Sequence, residues 1–286
     1  MSPNSRYPAI GTAGAAVAIT GGARGIGLAT AKAFAARGAY VAIGDLDEQL
    51  AEQAASDIGS RCVAFGLDVG SAESFVKFVN RVECSTGPVD ILVNNAGIMP
   101  LSEFLEESDR VSSTQIDVNL WGPIHGMRTV LPGMVERGRG HIVNVASLAG
   151  KMSTPGAAVY SATKHAVVGL SGAVRNEMAD HGISISVIMP SLVRTELGAG
   201  LAMPAAVTVT PETVADAIVD SVRTRRAATV VPRWLGSAVD VANLLPSSVR
   251  EAALRRASAN GLAAAANRDP KRSEYRRRIE GQVSGE

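Results

Sequence analysis

The sequence predicts an α/β fold built on one parallel, doubly wound sheet with helices on both faces. Three observations carry that prediction. Short, nearly continuous apolar runs alternate with longer segments of helical periodicity from Val17 to about Val231, the pattern of strands buried on both faces and joined by crossover helices. The runs end on polar residues, Asp45, Asp68, Asn95 and Ser147, which a parallel sheet gathers along the rim where ligands bind in such folds. The first strand-to-helix turn is rich in glycine. At 286 residues the chain is long enough for one large domain with a sizeable core.

Residues 1–13 read as a flexible lead, and the first strand ends at Thr20. Gly21-Gly22-Ala23-Arg24-Gly25-Ile26-Gly27 then turns tightly into an alanine-rich helix, which Gly38 stops. A second apolar run is closed by Asp45, the segment LDEQLAEQAASDIG is helical, and RCVAFGLDV is a third strand ending near Asp68. Ser71 caps the next helix, and VDILVNNAG is a strand running into Asn94-Asn95-Ala96-Gly97. A long helical stretch from about Ser108 to Glu136 contains Asn119 and a Gly122-Pro123 interruption. HIVNVASLAG is the fifth strand, the segment from Val159 to Gly182 is a helix, and ISISVIMP is the sixth strand. Ser191 to Val209 has little periodicity and reads as a mobile loop; Pro211-Glu212 opens another helix and ATVVP forms a last short strand. Residues 14–232 thus make a single Rossmann-type unit, and 233–286 a helical, basic extension.

The formal charge of +1 gives no preference for nucleic acid. Cys62 and Cys84 have no metal or redox spacing and read as reduced thiols of a cytoplasmic protein. No export signal is read at the N-terminus, and no apolar run reaches membrane-spanning length.

The stretch from Val17 to Asp45 suits a dinucleotide. Glycines let the backbone approach a phosphate without a Cβ in the way, and the following helix start offers unpaired N–H groups and a positive dipole end. Asp45 lies 18 residues beyond Gly27, near the spacing at which an acid accepts from the adenosine ribose. Tyr160 and Lys164 are four apart on a predicted helix, hence on one face. An ammonium there would favour the phenolate and draw the tyrosine's pKa down toward the working range. Ser147, at the end of the preceding strand, can hydrogen-bond the same substrate oxygen.

Together, Thr20-Gly-x-x-x-Gly-Ile-Gly27, Asn94-Asn-Ala-Gly97, Asn119, Ser147 and Tyr160-x-x-x-Lys164 resemble the short-chain dehydrogenase/reductases of the classical type, over roughly residues 14–232. The resemblance implies that Tyr160 is the general acid/base and that Lys164 lowers its pKa and binds the nicotinamide ribose. Ser147 would polarise the substrate oxygen, and Asn119 would anchor a water in a proton relay. It implies further that Gly21, Arg24, Gly25, Ile26 and Gly27 cradle the pyrophosphate. Asp45 and Leu46 would meet the adenosine ribose, and Asp68 with Val69 the adenine. Asn95, Ala96 and Gly97 would pass close to the cofactor, as would Pro190, Val193 and Thr195 at the nicotinamide. The reaction implied is reversible hydride transfer between nicotinamide and a secondary alcohol or ketone. Asp45 would repel a 2′-phosphate, and Leu46 stands where an arginine would clamp one. NAD is therefore expected, with NADP, suggested by Arg24, as the alternative.

Two features depart from that pattern. Ser191 follows Pro190 where the family commonly has glycine. The chain also runs on past its last strand, through an apolar helical stretch (Trp234 to Leu245), a capped one (Ser247 to Ala257) and an arginine-rich end. A tetramer is therefore less expected than a homodimer through the long central helices. The tail reads either as a helix on an anionic membrane surface, giving peripheral membrane contact, or as one packed on the body. Leu192, Leu197, Leu201 and Met203 suggest a steroid-, retinoid- or fatty-like substrate. The competing readings are a catalytically idle NAD-binding sensor or scaffold and, third, an epimerase or dehydratase. The intact Ser147, Tyr160, Lys164 and Asn119 weigh against the idle protein, and the lack of a larger substrate domain against the epimerase or dehydratase.

Overall fold

The computed structural model describes residues 7–201, 204–246, 248–249 and 269–284. Strand β1 (Ala16–Thr20) is wholly buried, and its side chains alternate between two cores. Val17 and Ile19 pack on one face with Val41, Ile43 and Phe34, whereas Ala18 faces Ala42, Phe75 and Leu92 on the other. Helices α1 (Gly25–Ala35), α2 (Glu48–Ile58) and α7 (Pro211–Thr224) cover the first face. Helices α3 (Ala72–Thr86), α5 (Gly122–Arg137) and α6 (Ala158–Met178) cover the second.

Seven parallel strands follow the order β3-β2-β1-β4-β5-β6-β9. They are β2 (Tyr40–Asp45), β3 (Cys62–Gly66), β4 (Ile91–Asn94), β5 (Gly140–Val145), β6 (Ile183–Pro190) and β9 (Ala228–Val231) with β1. The order reverses between β1, which pairs with β2, and β4. At that switch point the turns after β1 and β4 leave in opposite directions and open a crevice.

Local signals place the helices. Asp47 accepts from Leu50 N (3.1 Å) at the start of α2, and Ser71 from Ser74 N (3.2 Å) at the start of α3, each capping an otherwise unpaired donor. Thr210 caps α7, with Pro211 in its first turn. Gly182, at φ +74°, closes the turn that follows α6.

Two segments carry more structure than the sequence reading gave them. The stretch from Ser108 is helical throughout, as expected, but α4 (Asp109–Ile116) and α5 are joined by a π-helical turn, Asp117–Trp121, which buries Asn119. A π-turn inserts a residue into the helical ladder, often at functional sites. The segment after Pro190 is also more ordered than its composition suggests. Its described residues form a parallel pair, β7 (Leu192–Val193) with β8 (Thr208–Val209). Ser191, in the glycine position, donates its hydroxyl to Val207 O (2.5 Å) and ties that ribbon closed.

Beyond β9, helix α8 (Arg233–Asn243) packs on the sheet edge, where a Cβ on Gly236 would lie 3.0 Å from Val230 Cβ. Its other face leaves Trp234 and Val241 exposed. The helix expected from Ser247 to Ala257 falls almost entirely outside the described residues. A C-terminal helix (Ser273–Ser284) returns to the body, burying Tyr275 and Ile279 against Ile98. Among the described residues no helix is long and apolar enough to cross a membrane.

Candidate active site

The rim above the switch point is assembled by side chains that tie the two departing turns together. Thr20 Oγ1 accepts from Asn95 N and Ala96 N, both at 3.0 Å. Asn95 Nδ2 donates to Thr20 O (2.9 Å) and Gly21 O (3.0 Å). Gly21 and Gly25 have φ of +64° and +55°, a region costly for any residue with a Cβ. Gly27 is packed under the turn, where a Cβ would lie 2.1 Å from Gly21 O. Helix α1 begins with no side-chain cap and no acid in its first turn, so its leading N–H groups remain for an anion. These are the features a pyrophosphate needs, and the loop fits one.

On the β2 side, Asp45 accepts from Ala23 N (3.1 Å) and Asp47 N (3.2 Å). Arg24 turns away from the turn and pairs with Asp47 (2.9 Å) and Glu196 (3.5 Å). Asp68 is set by Gly70 N (2.9 Å). Gly21, Arg24, Gly25, Ile26, Asp45, Leu46, Asp68 and Val69 all line one arm of a cavity of about 1340 Å³.

The other arm holds the expected chemistry. Asn95, Ala96, Gly97, Ser147, Tyr160 and Lys164 line it, with Pro190, Val193 and Thr195 at its roof. Two predicted site residues do not face it. Gly27 lies beneath the turn, and Asn119, 1% exposed, sits behind Ile98. Asn119 accepts from Ile98 N (2.9 Å) and donates to Ile98 O (2.9 Å) and Thr163 Oγ1 (3.3 Å). Its amide therefore pins the turn after β4.

The electrostatics correct one expectation. Lys164 Nζ donates to Val145 O (3.2 Å) and stands 5.7 Å from the centre of the Tyr160 ring. Burial pushes the Lys164 ammonium down to about 8. Burial likewise raises the Tyr160 phenol above its ordinary value, with a hydrogen bond to Ser147 working the other way. The lowering expected from Lys164 does not appear: burial sets the direction of the shift and only Ser147 opposes it. Tyr160 is thus held protonated, as a donor.

A second layer comes partly from the tail, which the sequence reading expected to cover the substrate mouth without naming the residues that do so. Met99 and Leu101 pack with Tyr160, while Tyr275, Arg278 and Ile279 come from the C-terminal helix to close the cavity. Arg278 pairs with Glu196 at 2.5 Å. Burial works to raise the Glu196 carboxyl, but Arg278 and Arg24 outweigh it and hold it below its ordinary value. The available signal was the Tyr275–Ile279 pair, an i,i+4 apolar face inside an arginine-rich run.

A family model described as short chain dehydrogenase matches residues 15–204. The chain is 37% identical over 188 residues to the oxidoreductase UcpA of Salmonella typhimurium, covering 64% of this chain and 71% of the relative. It is 36% identical over 192 residues to 2,5-dichloro-2,5-cyclohexadiene-1,4-diol dehydrogenase LinX of Sphingobium indicum, covering 66% and 77%. Among solved structures, 3-ketoacyl-(acyl-carrier-protein) reductase from Brucella melitensis, complexed with NADH, aligns with a TM-score of 0.71 at 28% identity, covering 77% of this chain and 96% of that one. Matched along most of its length, and with Ser147, Tyr160 and Lys164 set in one cavity, the chain belongs to the short-chain dehydrogenase family of oxidoreductases.

Proposed function

We propose that the protein is an NAD-dependent oxidoreductase that interconverts a secondary alcohol and its ketone on an apolar substrate. The observation that carries this is the continuity of one cavity from the glycine turn and Asp45 to Tyr160, Lys164 and Ser147. Nicotinamide, when bound, takes up or supplies the hydride. Tyr160 donates its proton to the ketone oxygen in one direction and withdraws it from the hydroxyl in the other. Ser147 holds that oxygen beside Tyr160. Lys164 offers a ribose its remaining N–H donors and, with its pKa near 8, exchanges protons in the working range. With its amide spent on Ile98 and Thr163, Asn119 serves through its side chain to keep Gly97 to Met99 in place.

Charge supports NAD over NADP. Asp45, Asp47 and Glu196 surround the adenosine end, and both carboxylates beside Arg24 already engage it. A 2′-phosphate would meet acids and a pre-empted arginine. The substrate arm supports an apolar ligand, since Met99, Leu101, Leu197 and Leu201 pack around Tyr160; Met203 lies outside the described residues. The relative LinX is named for a cyclic diol, so alicyclic alcohols and ketones are the first class to screen. A homodimer through α4 and α5, where Ile116 and Trp121 are exposed, is part of the same proposal and is checked by sedimentation.

Titration with NADH and NADPH, read by cofactor fluorescence, should show tight binding of the first and weak binding of the second. Tyr160→Phe should keep NADH affinity and lose about 100-fold or more in turnover of any ketone reduced. Preference for NADPH would overturn the cofactor assignment. Full activity in Tyr160→Phe would overturn the mechanism.

A further inference from the structure

The C-terminal helix lies beyond the family match, yet Tyr275, Arg278 and Ile279 form part of the cavity wall. Its anchor is Arg272, only 1% exposed, which donates to Leu197 O (2.9 Å), Ala199 O (2.9 Å) and Met99 O (2.6 Å). Met99 N donates in turn to the Tyr275 hydroxyl oxygen (2.6 Å). Both main-chain groups of Met99 are thus held by the tail, as both of Ile98 are held by Asn119. Tyr275 is fixed to the same turn that packs on Tyr160.

This leaves a phenol with half of its hydrogen-bonding capacity used. A phenolic oxygen accepts on one side and donates on the other. The accepting side takes Met99 N, and among the described residues no acceptor meets the hydroxyl hydrogen. Tyr275 is 3% exposed, and burial pushes its pKa up to about 12, so the hydrogen stays on. A buried donor without a partner is uncommon in folded proteins. Around the Tyr275 ring lie Ile98, Ile279 and Leu197, with the guanidinium groups of Arg272 and Arg278 at 5.0 and 5.4 Å from the ring centre; these groups only donate and offer the hydroxyl hydrogen no acceptor. Because Tyr275 lines the cavity, the missing acceptor has a place to come from, namely a ligand.

We propose that Tyr275 is a specificity-determining residue whose hydroxyl donates to a second oxygen on the substrate. The protein then selects apolar alcohols or ketones that carry an additional carbonyl or hydroxyl oxygen away from the reacting carbon, whose own oxygen is held by Tyr160 and Ser147. This rests on the alcohol/ketone reading above.

The test compares matched ketones that differ by one oxygen, cyclohexane-1,4-dione with cyclohexanone and decalin-1,5-dione with 1-decalone. The full chain and Tyr275→Phe are each assayed with NADH. After the statistical factor for two carbonyls, the unmodified protein should favour the dione of at least one pair by about tenfold or more in kcat/KM, the scale of one buried hydrogen bond. Tyr275→Phe frees Met99 N and so slows both members of a pair, but it should abolish that preference, the dione losing about tenfold more in kcat/KM than its monoketone. A merely structural role would slow both members of a pair alike. Equal loss on both members, a preference that survives the substitution, or no preference in the unmodified protein each overturns the proposal. Reduction of monoketones without discrimination keeps the oxidoreductase reading and removes only this one. If none of the four is reduced, their affinities for the protein–NADH complex, from quenching of NADH fluorescence, make the same comparison, and absence of dione binding overturns it.

Discussion

Lys164→Met should make the cofactor-free protein more stable near neutral pH while abolishing its chemistry. Lys164 is 4% exposed and its ammonium is pushed from 10.5 to about 8 by burial. A folded pKa below the unfolded one means the charged form is penalised in the fold. The penalty is full below pH 8 and is relieved as pH rises toward 10.5, because there the unfolded chain binds the extra proton. The shift corresponds to about 3 kcal/mol at pH 7 and falls below about 1 kcal/mol at pH 10. Methionine has similar volume and no charge, but it strips Val145 O of its donor, at about 1 kcal/mol. The net gain at pH 7 is about 2 kcal/mol, or roughly 3 °C in melting temperature for a chain of this size. At pH 10 the gain should vanish. Thermal unfolding of both proteins at the two pH values, without cofactor, measures this directly. A variant that melts no higher than the parent at pH 7, or that keeps the same advantage at pH 10, would refute the idea that this lysine is held at the expense of the fold.

Two other perturbations test the scaffold around the site. Gly27→Ala places a Cβ 2.1 Å from Gly21 O and 2.7 Å from Asn95 Nδ2. It should lower stability by about 3 kcal/mol and weaken NADH binding by about 100-fold or more, measured by melting and titration; unchanged affinity would show that the turn is not the phosphate cradle. Arg272→Met leaves three carbonyls without their donor, a local loss of about 3 kcal/mol. Chymotryptic cleavage at Tyr275 should then quicken by on the order of 100-fold, and an unchanged rate would show that something else docks the helix.

Much of the sheet could be read from the residues because its signals are local. The apolar runs, the caps Ser71 and Thr210 and the glycine turns each act over a few residues. The rim residues were legible for the same reason, since a strand end in a parallel sheet has one place to go. What escaped depends on groups far apart in sequence. The π-turn at Asn119 arises where Asn119 bonds Ile98 across 21 residues. The ribbon after Pro190 is closed by Ser191 on Val207, and composition alone made that segment look loose. The raised Tyr160 pKa follows from burial, which four-residue spacing to Lys164 does not reveal. Tyr275 reaches Met99 across 176 residues, a partnership no periodicity could announce.

The placement of these parts separates two tasks. Ser147, Tyr160, Lys164 and Asn119 stand at the end of β5, on α6 and in the π-turn before α5, all bedded in the sheet's own packing. The wall proposed for the substrate comes instead from Leu197 and Leu201, outside the sheet, and from a helix beyond the family match. Such peripheral elements can change without disturbing the core, which is how one fold carries many substrates. In this chain the two tasks meet at Ile98–Met99. Asn119 holds the first residue and Arg272 with Tyr275 the second, so a change in how the tail docks is passed one peptide unit away to the amide that braces the catalytic turn. Tail substitutions should therefore alter substrate choice first, and turnover only when they release Met99.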